Sequence, residues 1–437
     1  MGPQQKFKDQ CGWVSLANFG PPTPPLSGSH RADWVIIGGG FTGLAAARQI
    51  AHLDPQASIL LIDGKRVGQG ASGRNSGYLV ANESIYTTGR LSAPQKIEYL
   101  NQNAIDRAGV AELKELVARH TIDCDWHDTG SIHAAADPGN FKRLHRMVEA
   151  YSRLGLAPQL FERDALHERL GTSYYKLGVL NSGGALVQPA KLAKGLLESL
   201  PSPIQVHENT VVTGIDAELG KVKISLAEGE VLADRVIVAV NAFMPRLGIK
   251  KSQVFPMALT ASLTRPLSDQ EFASLGNPQP WGVLAPRSCG ATVRLTPDRR
   301  ILMRNTAEYR PGGIDDTMLI PRQAIHAEGI AKRFSEINGD AIDFTWSGNI
   351  CVSYDGKHVF EKHSDNIFAV GCYNASGVSR GSILGKLIVD YAYGNSSKLL
   401  TTALGITTTK RLPPRPFFDI GMSLRMKLEK FHARKES

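Results

Sequence analysis

The stretch "ADWVIIGGGFTGLAAARQIAHLDPQASILLID", residues 32–63, decides the fold. Residues 34–37 form a short apolar strand that ends at a glycine. "LAAARQIAHL" has helical composition, and "SILLID" reads as a second buried strand. Strand, glycine turn, helix and strand in about thirty residues is the context in which G-x-G-x-x-G carries meaning. Gly38 permits a tight turn, Gly40 lets the backbone approach a pyrophosphate, and Gly43 lets the helix close on the strand. Phe41 and Thr42 then open a helix whose unpaired amides face the phosphates. Asp63, with Gly64 beside it, stands twenty residues after Gly43, where a carboxylate accepts hydrogen bonds from ribose hydroxyls. A dinucleotide site is favoured over an ordinary tight turn.

Composition narrows the class. The chain has 437 residues, 42% hydrophobic and 21% charged, enough for a large core and two lobes. It has no run of eighteen apolar residues, so no membrane-spanning helix is expected. The first thirty residues are polar and Pro-rich, without the basic start and apolar stretch of a secretory signal. A cytoplasmic location is therefore expected. Cys11, Cys124, Cys289, Cys351 and Cys372 are scattered, which argues against a disulfide framework or a metal site. The net charge is +9, and residues 410–437 carry eight Lys/Arg against three Asp/Glu, or +5 of it. The body is near neutral, so a small molecule is a better partner than a nucleic acid.

A second small-residue loop, "GQGASGRNSGYL" (residues 68–79), follows Asp63 directly. A nicotinamide cofactor has no need of it, whereas FAD is longer and must be gripped by further backbone. Together with "GGALVQPAKLAKGL", "VVTGI", "DRVIVAVNAF", "WSGNICVSYDG" and "NIFAVGCYNASGVSRGSILGKLIVDYAYG", in that order, the chain resembles the FAD-dependent amine and amino-acid oxidoreductases that include D-amino-acid oxidase, glycine oxidase and sarcosine oxidase. The likeness is greatest to the branch with γ-glutamylputrescine oxidoreductase and L-pipecolate oxidase. That branch shares the lead-in with Trp13 and "PPTPPL", and the G-A-S-G-R-N-S-G loop.

The resemblance implies an α/β fold, mixed α+β in character: a Rossmann-like FAD-binding domain with a substrate domain on an antiparallel sheet. It implies further FAD contacts at Gly70, Ala71, Ser72, Asn75, Ser76, Gly77 and Tyr78, at Val212 beside the adenine, and at Ala239 and Asn241 beside the flavin. Gly371, Asn374, Ala375, Ser376, Gly377 and Val378 complete the set on the closing strand, loop and helix. Branches with covalent flavin carry a cysteine where Gly348 stands here, so a dissociable FAD is expected, with Cys351 the alternative attachment point. The sarcosine-oxidase branch has a lysine at the position of Ser379, beside Arg380, so its carboxylate and oxygen chemistry does not carry over.

The expected division is a discontinuous FAD-binding domain (1–92, 180–246, 347–405), a substrate domain (93–179, 247–346) and a basic amphipathic C-terminal helix (406–437). Residues 94–120, 140–154 and 322–337 read as helices, and 255–304 as antiparallel strands. In the last segment Phe417, Ile420, Leu424, Leu428 and Phe431 share one helical face. Two readings stand: packing on its own subunit or on a second copy in a homo-oligomer, which is favoured, or lying on the inner face of an anionic membrane.

The chemistry expected is oxidation of a C–N bond by hydride transfer to flavin N5, giving an imine. The first substrate expected is a secondary amine or amino acid of the L-pipecolate type. The alternatives are a γ-glutamylputrescine or other polyamine substrate, an RNA-modifying flavoprotein, and a non-catalytic flavin subunit. Oxygen or a quinone carrier takes the electrons. A bidentate arginine suits a substrate carboxylate, and Arg74, Arg294, Arg304, Arg310 and Arg380 are the candidates. Tyr309, Tyr373 and Trp346 are candidate pocket walls, and His358 a candidate base.

Overall fold

The computed structural model describes residues 10–85, 91–218, 220–337, 339–408 and 410–437. Residues 1–9 and 86–90 of the expected first FAD-binding segment therefore lie outside the described residues.

The quoted stretch builds the centre of the first sheet. Gly28–Ile37 pairs in parallel with Ile59–Ile62 on one side and Gly229–Val238 on the other. Ile204–His207 and Ile367–Gly371 extend the parallel set outward, and Val359–Ser364 closes one edge antiparallel. The inner strands are apolar without alternation because both faces are covered, as "ILLI" shows by being buried throughout. Helices Phe41–Leu53, Gly377–Ala392 and Ala93–Arg119 cover one face. A meander, Val212–Glu218 and Lys221–Leu226, covers part of the other.

The second sheet has eight strands in the order Ile342–Ser353, Val254–Thr264, Ile301–Glu308, Thr292–Leu295, Trp281–Leu284, Ser131–Ala135, Leu177–Asn181, Gln159–Glu162. All its pairings are antiparallel except that of Trp281–Leu284 with Ser131–Ala135. Two of the last three strands lie within residues 93–179, where only helices were expected, and the third, Leu177–Asn181, crosses the expected boundary at residues 179/180. They are four or five residues long and carry little β-branched character. The expected boundary at residues 346/347 falls inside Ile342–Ser353, which carries the second sheet to the edge of the first.

Two helices correct the sequence reading. The helix expected at 322–337 runs Asp316–Ala331, because Asp315 caps it by accepting from the Met318 N–H at 3.0 Å. Pro321 sits inside it rather than before it. The C-terminal helix is confined to Phe417–Ala433, and it packs through Phe418, Met426 and Ala433, not through the predicted stripe. The own-subunit reading of that stripe is overturned, since all five of its residues face outward.

Candidate active site

Four parallel strands, Gly28–Ile37, Ile59–Ile62, Gly229–Val238 and Ile367–Gly371, end at one side of the first sheet. A cavity of about 1530 Å³ opens there and runs across to the second sheet. Ligands of such sheets bind beyond the carboxyl ends of the strands, where the turns can be shaped without disturbing the core.

The cradle is sterically enforced. Gly38 has φ 108°, and a Cβ there would sit 2.7 Å from the Ala239 carbonyl oxygen. A Cβ at Gly43 would come within 1.8 Å of the Gly38 carbonyl oxygen, so only glycine lets the helix approach the strand. At Gly40 the neighbour is Ser72 Oγ, 2.6 Å from the same hypothetical atom. Ser72 Oγ in turn accepts the Phe41 N–H at 3.0 Å, which ties the second glycine loop to the first. Asp63 accepts the Gly39 N–H at 2.7 Å and the Lys65 N–H at 2.8 Å, while burial raises its carboxyl above the usual range.

Tryptophans hold the second loop from behind. The Trp13 indole donates to the Asn75 carbonyl at 2.9 Å and the Trp346 indole to the Arg74 carbonyl at 3.1 Å, the two rings 6.2 Å apart edge to face. The lead-in tryptophan and the G-A-S-G-R-N-S-G loop thus form one unit. The third wall is the turn after Gly371, where Cys372, Asn374 and Ala375 all have left-handed backbone, Ala375 at φ 79°. That conformation is costly for alanine, and such strain concentrates at functional sites. Asn241 accepts the Cys372 N–H at 3.0 Å and Asn374 the Ser353 N–H at 3.0 Å. Helices Phe41–Leu53 and Gly377–Ala392 both begin at this cavity with no side-chain cap from their own N-cap residues, Gly40 and Ser376, so two positive helix ends face it.

Of the predicted cofactor contacts, Gly38, Gly40, Phe41, Thr42, Asp63, Gly64, Gly70, Ala71, Ser72, Asn75, Ser76, Tyr78, Val212, Ala239, Asn241, Asn374, Ala375, Ser376, Gly377 and Val378 line the cavity. Gly43, Gly77 and Gly371 stand behind it, where a Cβ would strike Gly38, Val187 and Met244. They shape the wall instead of touching what it holds. These residues fit FAD: uncapped amides for the pyrophosphate, a carboxylate for a ribose, and a small-residue loop on either side of a flat space.

Among the substrate candidates, Arg74, Arg304, Trp346 and Tyr373 line the cavity. Arg74 is engaged with main chain, donating to the Gln69 carbonyl at 2.8 Å and the Ser347 carbonyl at 3.1 Å. Tyr373 shares its hydroxyl with Thr42 Oγ1 at 2.6 Å, and burial keeps the phenol protonated. Arg304 is different. It projects from Ile301–Glu308 into the substrate half, hydrogen-bonds Thr292 Oγ1, and has no carboxylate partner among the described residues.

The remaining candidates are corrected. Arg380 is buried behind the wall, salt-bridged to Glu83 and to Asp106 (2.8 Å), so its charge is already spent on protein. Arg294 is also buried behind the wall, donating to the Ser76 and Val187 carbonyls with its guanidinium over the Trp13 ring. Arg310 lies outside the cavity near Glu308, and Tyr309 hydrogen-bonds Asp419 of the C-terminal helix. His358 is fully buried away from the cavity, where Nε2 meets the Ala403 carbonyl at 3.1 Å, and burial pulls its pKa down to about 3. It is a core histidine, not a base.

Sequence reasoning missed three wall elements. His133 sits on the cavity wall with Nε2 3.2 Å from Ser84 Oγ, and burial lowers its pKa to about 4, so its imidazole is neutral. Glu83 is a second. The third is the C-terminal helix, whose Phe418, Met422, Met426 and Glu429 close the substrate half. Its i, i+4, i+8 spacing was legible, but the longer outward stripe masked it.

The description "FAD dependent oxidoreductase" belongs to the DAO family, whose model matches residues 33–391. The γ-glutamylputrescine oxidoreductase of Escherichia coli is 26% identical over 400 residues, covering 88% of this chain and 89% of the relative. Among solved structures, glycine oxidase from Geobacillus kaustophilus superposes with a TM-score of 0.69 at 20% identity, covering 88% of this chain and all of that one. L-proline dehydrogenase from P. horikoshii gives 0.64 at 15% identity, again covering 88% of this chain and all of the other.

Proposed function

Because the chain belongs to the DAO family of FAD-dependent oxidoreductases, we propose that it oxidises the C–N bond of an amino acid, with a cyclic secondary amino acid of the L-pipecolate type as first candidate. The observation that carries this reading is Arg304, a half-buried cation in the substrate half with a hydroxyl but no carboxylate beside it among the described residues. FAD, when bound, would supply the acceptor for hydride from the carbon next to the nitrogen. The protein's part is positioning. Arg304 holds the carboxylate, while Met257, Leu259 and Trp346 cover the aliphatic part and exclude water. His133 stays neutral and adds no competing positive charge near the amine. The amine sheds its proton before reaction, so reduction should accelerate with pH toward the substrate's own pKa. A rate flat between about pH 6 and pH 10 in stopped-flow reduction contradicts this.

Anaerobic addition of L-pipecolate, L-proline, sarcosine and γ-glutamylputrescine to the holoprotein tests the substrate class. One of the first three should bleach the flavin band. Arg304→Gln should raise KM for that compound about 10- to 100-fold with a smaller change in kcat, the cost of losing a charge-assisted hydrogen bond. An unchanged KM removes Arg304 from the role.

A second reading is a γ-glutamylputrescine-type substrate. It is supported by the Escherichia coli relative and by the Glu429 carboxylate on the cavity wall; Glu83 also lines the cavity but is paired with Arg380. Bleaching by γ-glutamylputrescine alone selects it.

The FAD is expected to be dissociable. Gly348 offers no thiol, and the Cys351 thiol is kept protonated by its hydrogen bond to Cys372 and by burial. Denaturation should release all the flavin into the supernatant. Flavin retained by the denatured chain but lost in Cys351→Ser contradicts this.

A further inference from the structure

We propose that the C-terminal helix, Phe417–Ala433, docks the protein on an anionic lipid surface through the face it turns away from the chain. The helix has two apolar faces. Phe418, Met422, Met426 and Ala433 pack in one cluster with Phe255, Met257 and Ala307 of the second sheet. On the other face Phe417, Ile420, Leu424, Leu428 and Phe431 are between 57% and 73% exposed. At 3.6 residues per turn these five fall within roughly 80° of arc. Among the described residues no other element carries more than two exposed large apolar side chains.

The stripe cannot be turned inward without breaking the anchors at both ends. Before the helix, the Leu412 N–H donates to the Ser252 carbonyl at 2.7 Å, and in its first turn Asp419 accepts from Tyr309. After it, the Glu436 carboxylate accepts the Ala136 and Asp137 N–H groups at 3.0 and 3.1 Å and the Asn140 amide at 2.9 Å. Arg333 also donates to the Glu436 carbonyl at 2.9 Å.

Charge distinguishes the occupants. By helical geometry Lys427 and Arg434 border the stripe on one side, with the exposed Lys430 further round, and His432 and Arg425 border it on the other, Arg425 also lining the cavity rim. The helix's acids lie away from the stripe, Asp419 bonded to Tyr309 and Glu429 on the cavity wall. A second copy paired about a two-fold axis would bring cationic rim against cationic rim, with no acid on this face to answer it. One narrow stripe also offers less than the roughly 800 Å² per partner of a standard interface. A bilayer surface satisfies both features: apolar side chains enter the acyl boundary and the flanking cations meet anionic headgroups.

The test is flotation of the full-length holoprotein at low salt. It should rise with vesicles of phosphatidylcholine mixed with phosphatidylglycerol, and at least tenfold less with phosphatidylcholine alone. Lys427→Gln and Lys430→Gln should each lower the partition about fivefold. Leu424→Glu combined with Leu428→Glu should abolish it while flavin absorbance and turnover of a soluble amine persist, since neither leucine lines the cavity. If that variant fails to hold flavin, the two lysine variants decide. No flotation with anionic vesicles, or equal flotation on neutral ones, overturns the proposal. So does a self-associating wild-type chain that does not float and becomes monomeric in the leucine variant, which would make the face a contact between copies.

Discussion

Gly43→Ala should bring the loss of FAD binding, with affinity down at least about 100-fold and purified protein largely colourless. The added Cβ would lie 1.8 Å from the Gly38 carbonyl oxygen and 3.0 Å from its carbon. Both are main-chain atoms, so no side chain can rotate away to relieve the contact. The helix must retreat from the strand, and its uncapped N-terminus leaves the cavity edge. Gly405→Ala is the control, because a Cβ there meets nothing within 4 Å. Isothermal titration of both apoproteins with FAD checks this. Wild-type affinity in Gly43→Ala would show that the turn relaxes more freely than its packing implies.

A steep loss of stability in mild acid is the second expected result. His133, His326 and His358 are buried and uncharged, with pKa values lowered by burial to about 4, 3 and 3. His326 is packed among hydroxyls, Ser262 Oγ at 2.7 Å and Thr260 and Thr306 at 3.3 Å. In the unfolded chain each imidazole takes a proton near about pH 6.5, which the folded chain refuses until far lower. The stabilisation is thus complete above that point and is lost as pH falls through it, by about 1.4 kcal/mol per imidazole per pH unit. Asp106, which burial raises to about 6, runs the other way and offsets part of this. The net loss between about pH 7.5 and pH 5.5 should be about 3 kcal/mol. Urea unfolding of the holoprotein at the two values measures it, and His326→Gln should make the difference smaller. A change under about 1 kcal/mol would mean that the imidazoles are protonated within the fold.

The glycine cradle was legible because its determinants are local. A strand of buried apolar residues, a turn with φ 108° and a helix that must close on it all lie within one short segment. The closing loop was legible only as a likeness, since nothing local marks Ala375 as the alanine forced to φ 79°. The arginines were legible only in part: Arg74 and Arg304 were among the candidates and both line the cavity, but so were Arg294, Arg310 and Arg380, which do not. Arg304 and Arg380 look alike in the chain, yet one meets only a hydroxyl in an open cavity and the other meets Asp106, 274 residues away. Which of them has charge to offer a substrate depends on partners that only folding brings together.

The same division holds for the tail. Two apolar stripes on one helix are written in residues 417–433, because helical period is a property of the sequence. Which stripe is buried was decided by the anchors at Tyr309, Ser252 and Asn140, each far away in the chain. By itself, then, the sequence determined the dinucleotide cradle, the order of the flavin segments and the amphipathic tail, all set by steric and periodic rules acting over a few residues. The tertiary structure alone decided which arginine lines the cavity without a carboxylate partner among the described residues, the demotion of His358 to the core and the outward face of the tail. Desolvation and ion pairing act on the neighbours a group has in space, and those neighbours come from distant parts of the chain.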